Sequence, residues 1–157
     1  LDLHGDGKPD LVVYDDTTEF NRKWLVYQNT GSGFSEEPVV WTLPKNAPGD
    51  DGYNTIAGYG WTTFDLHGDG KPDLVVHDAT TEYNRKWLPY ENNDSGFGEE
   101  PVVWTLPKNA PGDDGYSALA SYEWSVFDLQ GDGRPDLVVS GNASELNRKW
   151  LLYANMP

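Results

Sequence analysis

Carboxylates recur in this chain at a spacing that could gather a hard cation. In Asp2-Leu3-His4-Gly5-Asp6-Gly7-Lys8-Pro9-Asp10 they hold the first, fifth and ninth positions, with glycine sixth. Glycine allows the sharp turn that folds such a stretch around a point, so that alternate carboxylates converge. Calcium takes roughly six to eight oxygens in this style, a backbone carbonyl from the seventh position among them. Two further copies offer Asp65, Asp69 and Asp73, then Asp128, Asp132 and Asp136. The same stretch can also close without metal, its carboxylates bonded to backbone N–H groups in Asx-turns. The third position is His4, His67 and Gln130. Carboxylate beside imidazole suits zinc, but one His per loop with no second His is a poor zinc set.

Other chemistries fit less well. Paired carboxylates serve glycoside hydrolysis, yet here the prominent ones repeat in every unit, whereas a catalytic pair is a single asymmetric feature. Only His4, His67 and His77 are available to a Ser-His-Asp arrangement, and two of them lie inside the acidic loops. The Gly-Asp-Gly turns are not phosphate cradles, because their acidic neighbours repel phosphate. The chain is therefore expected not to be an enzyme. It has no Cys, hence no disulfide framework, zinc thiolate or thiol nucleophile.

These loops need elements to hold them. The 157 residues are enough for one modest domain. Hydrophobic residues are only 37 %, but aromatics reach 13 %, with seven Trp, nine Tyr and five Phe. That composition supports an ordered, β-rich core rather than disorder. Seventeen Gly and eleven Pro argue for many turns and against long helices. A net charge of -15 disfavours nucleic acid and anionic membrane surfaces, and leaves cations and neutral partners such as sugars. No run is long and apolar enough for membrane insertion. The start at Leu1, without a signal peptide or initiating Met, suggests a mature product or an excised segment.

Repetition sets the architecture. Asp-Leu-His-Gly-Asp-Gly-Lys-Pro-Asp-Leu-Val-Val begins at Asp2 and at Asp65, and a close copy begins at Asp128, so both steps are 63 residues. Asn-Arg-Lys-Trp-Leu starts at Asn21, Asn84 and Asn147, and all seven Trp keep the register. Residues 1–157 are thus read as one repeat domain with units 2–64, 65–127 and a partial 128–157. Within a unit, strands are expected at Trp61–Phe64, Asp73–His77, Lys86–Glu91 and Pro101–Leu106. Pro89 suggests an edge or a bulge. The expected fold is all-β, with β-propeller blades of four antiparallel strands and about two and a half repeats per chain. Two and a half units cannot close a ring, so the chain is expected to oligomerise or to belong to a larger propeller.

The pattern DxxGDGxPDLVV followed by WxVYxNTGSGF resembles the FG-GAP/VCBS repeat. The resemblance spans nearly the whole chain, best over Trp61–Phe97. It implies a β-propeller, as in integrin-like heads, lectins and toxin propellers, with calcium in the turn between the first and second strands of each blade. The implied ligands are Asp2, Asp6, Asp10 and the Lys8 carbonyl; Asp65, Asp69, Asp73 and the Lys71 carbonyl; and Asp128, Asp132, Asp136 and the Arg134 carbonyl. The family places Asn or Asp third in the loop, so His4 and His67 cost an oxygen donor, while Gln130 keeps one on a longer stem.

Binding surfaces are expected where aromatic and polar residues mix. The candidates are Asn46, Asp51, Tyr53 and Tyr59, their copies Asn109, Asp114, Tyr116 and Tyr122, and also Arg85, Trp61 and Trp124. Trp24, Trp41, Trp87, Trp104 and Trp150 are expected to pack the core. The leading expectation is a calcium-associated, lectin-like carbohydrate binder. The alternatives are a structural or adhesion propeller segment of a larger secreted or toxin-like protein, or a designed repeat scaffold. An extracellular location is expected from the calcium reading and the acidic surface.

Overall fold

The computed structural model describes residues 1–14, 23–44, 61–77, 86–106, 124–140 and 150–155. These form ten short strands: β1 (Leu11–Tyr14), β2 (Lys23–Tyr27), β3 (Val39–Thr42), β4 (Trp61–Phe64), β5 (Asp73–His77), β6 (Lys86–Tyr90), β7 (Trp104–Thr105), β8 (Trp124–Phe127), β9 (Asp136–Ser140) and β10 (Trp150–Tyr153). They are built from β-branched and aromatic residues, which suit a pleated, half-buried surface. They pair antiparallel into three sheets, β1-β2-β3, β4-β5-β6-β7 and β8-β9-β10. The class is all-β as expected, but only the middle sheet has four strands, and the described residues form no closed ring.

Alternation along the strands gives every sheet two apolar faces. In the first interface Leu3, Trp24, Val26, Trp41 and Leu43 meet Leu74, Val76, Leu88, Tyr90 and Phe97 of the middle sheet. The second interface repeats the pattern, with Leu66, Val75, Trp87 and Leu106 against Leu137 and Val139. Trp24 pairs with Trp41 across β2 and β3. Trp87 likewise pairs with Trp104 across β6 and β7. The core is thus not inside any one sheet but between successive sheets, an arrangement in which each unit depends on its neighbours.

Two expectations need correction. Trp150 was expected in the core, yet it is 69 % exposed, whereas its copy Trp24 is fully buried. The strand places both rings on the same kind of face; the difference is that among the described residues no sheet covers β10 on that side. Pro89 lies in β6, which pairs on both sides, not at an edge. The ladder to β7 stops at Trp87, leaving β7 two residues long where β3 has four. Beyond it only the Pro89 carbonyl is used, accepting from Val102 N at 3.0 Å. A proline has no N–H for that ladder, which accounts for the shortened strand.

Candidate functional site

The acidic loops enter β1, β5 and β9, and each is closed by its own carboxylates. The first-position residue gathers the turn: Asp65 accepts from the N–H groups of Gly68, Asp69 and Gly70 at 2.7–3.1 Å. Asp128 does the same with Gly131, Asp132 and Gly133. Asp2 accepts from Asp6 N and Gly7 N. The fifth-position residues Asp6, Asp69 and Asp132 accept from the N–H two residues on, that of Lys8, Lys71 or Arg134. These are the Asx-turns that short carboxylates favour. The backbone bond from Gly133, joined by those from Gly131 and Asp132, outweighs desolvation and holds the Asp128 carboxyl below its usual range.

The ninth-position residue works differently. Asp73 is buried; its Oδ2 accepts from Leu66 N at 3.0 Å and His67 Nδ1 at 2.8 Å, and its Oδ1 from Asn92 N at 3.1 Å. Asp10 holds Leu3 N, His4 Nδ1 and Asn29 N in the same way. Asp136 holds Leu129 N and Asn155 N. Each therefore ties the start of its loop to the turn after the next strand. Identical partners do not give identical acidity. Burial pushes the Asp73 carboxyl up despite the bonds from Asn92, His67 and Leu66. Asp10 is also raised by burial, but the bonds from Asn29, His4 and Leu3 outweigh it and the net shift is downward. The middle loop is covered by the sheet before it, and the stronger desolvation decides the sign.

That cover is specific. Asn92 Nδ2 donates to the Leu3 carbonyl of the preceding unit at 2.8 Å, and Asn155 Nδ2 to the Leu66 carbonyl at 2.9 Å. Successive loops also touch through backbone. A Cβ on Gly5 would stand 2.6 Å from the Gly70 carbonyl oxygen, and one on Gly68 would stand 2.8 Å from that of Gly133. Gly131 has the same left-handed backbone, φ 74°, but open space around it. Gly68→Ala and Gly131→Ala share the conformational cost of about 1 kcal/mol. Only Gly68→Ala must also push neighbouring backbones away from each other. Its stability in urea is therefore expected to fall by about 1–2 kcal/mol more. Equal losses would show that loop contact contributes nothing.

Asn29, Asn92 and Asn155 were not singled out by sequence reasoning, although they recur at the same step as the loops. The metal expectation can be set against this geometry. Bonds to backbone N–H leave carboxylate lone pairs over, so they do not by themselves keep a cation away. What is missing is convergence: no three carboxylate or imidazole groups among the described residues stand where they could hold one metal ion. His4 and His67 lie against the ninth-position carboxylate. Of the residues named for sugar binding, Asn46, Asp51, Tyr53, Tyr59, Arg85, Asn109, Asp114, Tyr116 and Tyr122 lie outside the described residues. Trp124 opens β8. Trp61 packs between sheets with its ring centroid 5.4 Å from that of Trp24.

With the loop closure, the antiparallel sheets and the interlocking units in place, comparison with known proteins is decisive for the family. A family model described as FG-GAP-like repeat matches residues 2–76 and again 65–139. The chain belongs to the FG-GAP-like repeat family. Each match runs from one acidic loop through the next. None of the curated proteins matches this FG-GAP-like chain. Among solved structures it is similar to a chain in the Tc holotoxin pore of Photorhabdus luminescens carrying the TccC3-D651A mutation, with a TM-score of 0.59 and 21 % identity. The similarity covers 99 % of the FG-GAP-like chain and 7 % of the toxin chain. At that identity the likeness concerns the fold.

Proposed function

We propose that the chain is a non-catalytic structural repeat segment of a larger, toxin-like protein. The observation that carries this reading is the lock between units, in which Asn92 and Asn155 each bond a carbonyl of the preceding loop. The outermost faces support it. Leu11, Val13 and Phe34 on the first sheet, and Leu129, Trp150 and Leu152 on the third, are exposed although their copies in the interior of the stack are buried or half-buried. Such faces are what a segment presents to its neighbours in an array. The family membership and the placement of a similar fold within a very long toxin chain point the same way. No observation among the described residues favours a carbohydrate site.

The test is to insert a second copy of residues 65–127 after Phe127. In a stack whose stability sums units and interfaces, the added unit raises the unfolding midpoint. A lowered or unchanged midpoint, or selective binding on a glycan array, would refute the structural reading.

The acidic loops, in this reading, serve as staples that hold without calcium. Melting temperatures in about 5 mM calcium and in excess chelator are then expected to agree within about 1 °C, because a ligand stabilises only what it binds. A rise of several degrees with calcium would reinstate the metal loop.

A further inference from the structure

Two Asn-x-Ser triplets occur in the chain, Asn93-Asp94-Ser95 and Asn142-Ala143-Ser144, and the second lies outside the described residues. Such a triplet can accept an N-linked sugar where its Asn stands in a surface turn. Asn93 follows β6 and is exposed. The turn is closed by Asn93 N, which donates to the Gly96 carbonyl at 3.1 Å. Ser95 donates twice to Asn93 Oδ1, from its N–H at 3.2 Å and from its hydroxyl at 3.0 Å. A backbone N–H can only donate, so the oxygen must face Ser95 and Nδ2 must face the other way. Among the described residues Asn93 Nδ2 has no hydrogen-bond partner. The turn one unit earlier lacks the amide: Thr30, Gly31 and Ser32 hold the same three positions. Asp94 replaces Gly31 yet keeps the left-handed backbone, φ 70° against 85°, and is the single non-glycine residue with positive φ among the described residues. Asp tolerates that conformation better than most side chains. Its carboxylate accepts from Lys71 Nζ at 2.7 Å, so the residue between Asn and Ser brings no unpaired charge to the amide. Asn93 and Ser95 also line a groove of about 430 Å³ shared with Val40 and Thr42 of the preceding unit, which leaves room for a sugar ring beside the amide.

We propose that Asn93 is an acceptor site for an N-linked oligosaccharide. This is covalent attachment and not recognition of a free sugar. The donor is an oligosaccharide carried on a polyprenyl pyrophosphate. Asn93 Nδ2 attacks its anomeric carbon; the C–N bond forms as the C–O bond breaks, the pyrophosphate leaves with the bonding electron pair, and one Nδ2 proton passes to a base of the transferase. The hydroxyl that the triplet requires is already on the acceptor amide, because Ser95 Oγ holds Asn93 Oδ1. The folded turn therefore presents the nitrogen without rearrangement. The attached chain would stand at the joint between the first two units, on the turn whose Phe97 packs into the core between them.

The experiment incubates the folded chain with an oligosaccharyltransferase of the Asn-x-Ser/Thr class and its polyprenyl-pyrophosphate oligosaccharide. The enzyme's own acceptor peptide serves as the activity control. Occupancy is read residue by residue from peptide mass mapping. Sugar is expected on Asn93 of the folded chain. Asn93→Gln and Ser95→Ala should each abolish it. Ser95→Thr keeps the hydroxyl and should retain it, which separates the role of that group from any disturbance of the turn. No transfer to Asn93 while the control peptide is modified would overturn the proposal. So would transfer that survives Ser95→Ala, or transfer confined to Asn142. Transfer to Asn93 only in urea would overturn it too, because the fold would then hide the amide. The unit-insertion result is independent of all these outcomes, so loss of the acceptor proposal leaves the structural reading to its own test.

Discussion

Asp73→Ala will lower the free energy of unfolding by about 3 kcal/mol or more, read from the urea midpoint at constant slope. The carboxylate accepts from two backbone N–H groups and one imidazole, and it is buried. Truncation leaves Leu66 N and Asn92 N without acceptors, and water has little access to replace the lost oxygens. Each buried orphan donor costs about 1–3 kcal/mol. Asp73→Asn keeps one acceptor oxygen and should lose about half as much. Asp6→Ala is the contrasting case. Its carboxylate lies at the surface, bonded to Lys8 N and to the Lys8 amine at 3.3 Å, and its removal should stay within about 1 kcal/mol. If Asp6→Ala matched Asp73→Ala, the distinction between turn closure and loop anchoring would fail.

Phe97→Ala should cost about 3–4 kcal/mol, and Phe34→Ala less than about 1 kcal/mol, although both rings follow the same Ser-Gly turn. Phe97 fills the cleft between Trp24 and Trp41 and seals the first interface. Its loss leaves a cavity among rigid rings that cannot collapse, which adds to the lost transfer energy. Phe34 is turned to solvent on the outer sheet. Thermal melts of the two variants at several protein concentrations check this. A large, concentration-dependent loss in Phe34→Ala would mean that a second molecule covers the outer face.

Much of this organisation was legible before the structure. The alternation of Trp24-Leu25-Val26 and its copies set which side chains share a face, because strand geometry has a period of two. The loop spacing located the turns, because glycine and the carboxylates leave the backbone few other closures. The loop's partners were not legible. Nothing in Asn92 says whether its amide bonds its own unit or the one before it, since the copies are nearly identical. It does both, to Pro72 O and Leu3 O. Nor could spacing distinguish buried Trp24 from exposed Trp150, because burial belongs to the neighbouring sheet and not to the strand. Spacing likewise does not register that the imidazoles of His4 and His67 take up one side of the ninth carboxylate.

The amide-to-carbonyl lock has a consequence for how such a chain changes over time. Each unit carries both halves of the connection: a carbonyl offered to the unit after it and an amide directed at the unit before it. A tandem duplication in the coding sequence therefore delivers a finished joint, with no compensating substitution required on either flank. Deletion of a whole unit heals the same way. Unequal crossing-over between such copies changes the number of units while keeping the joint chemistry.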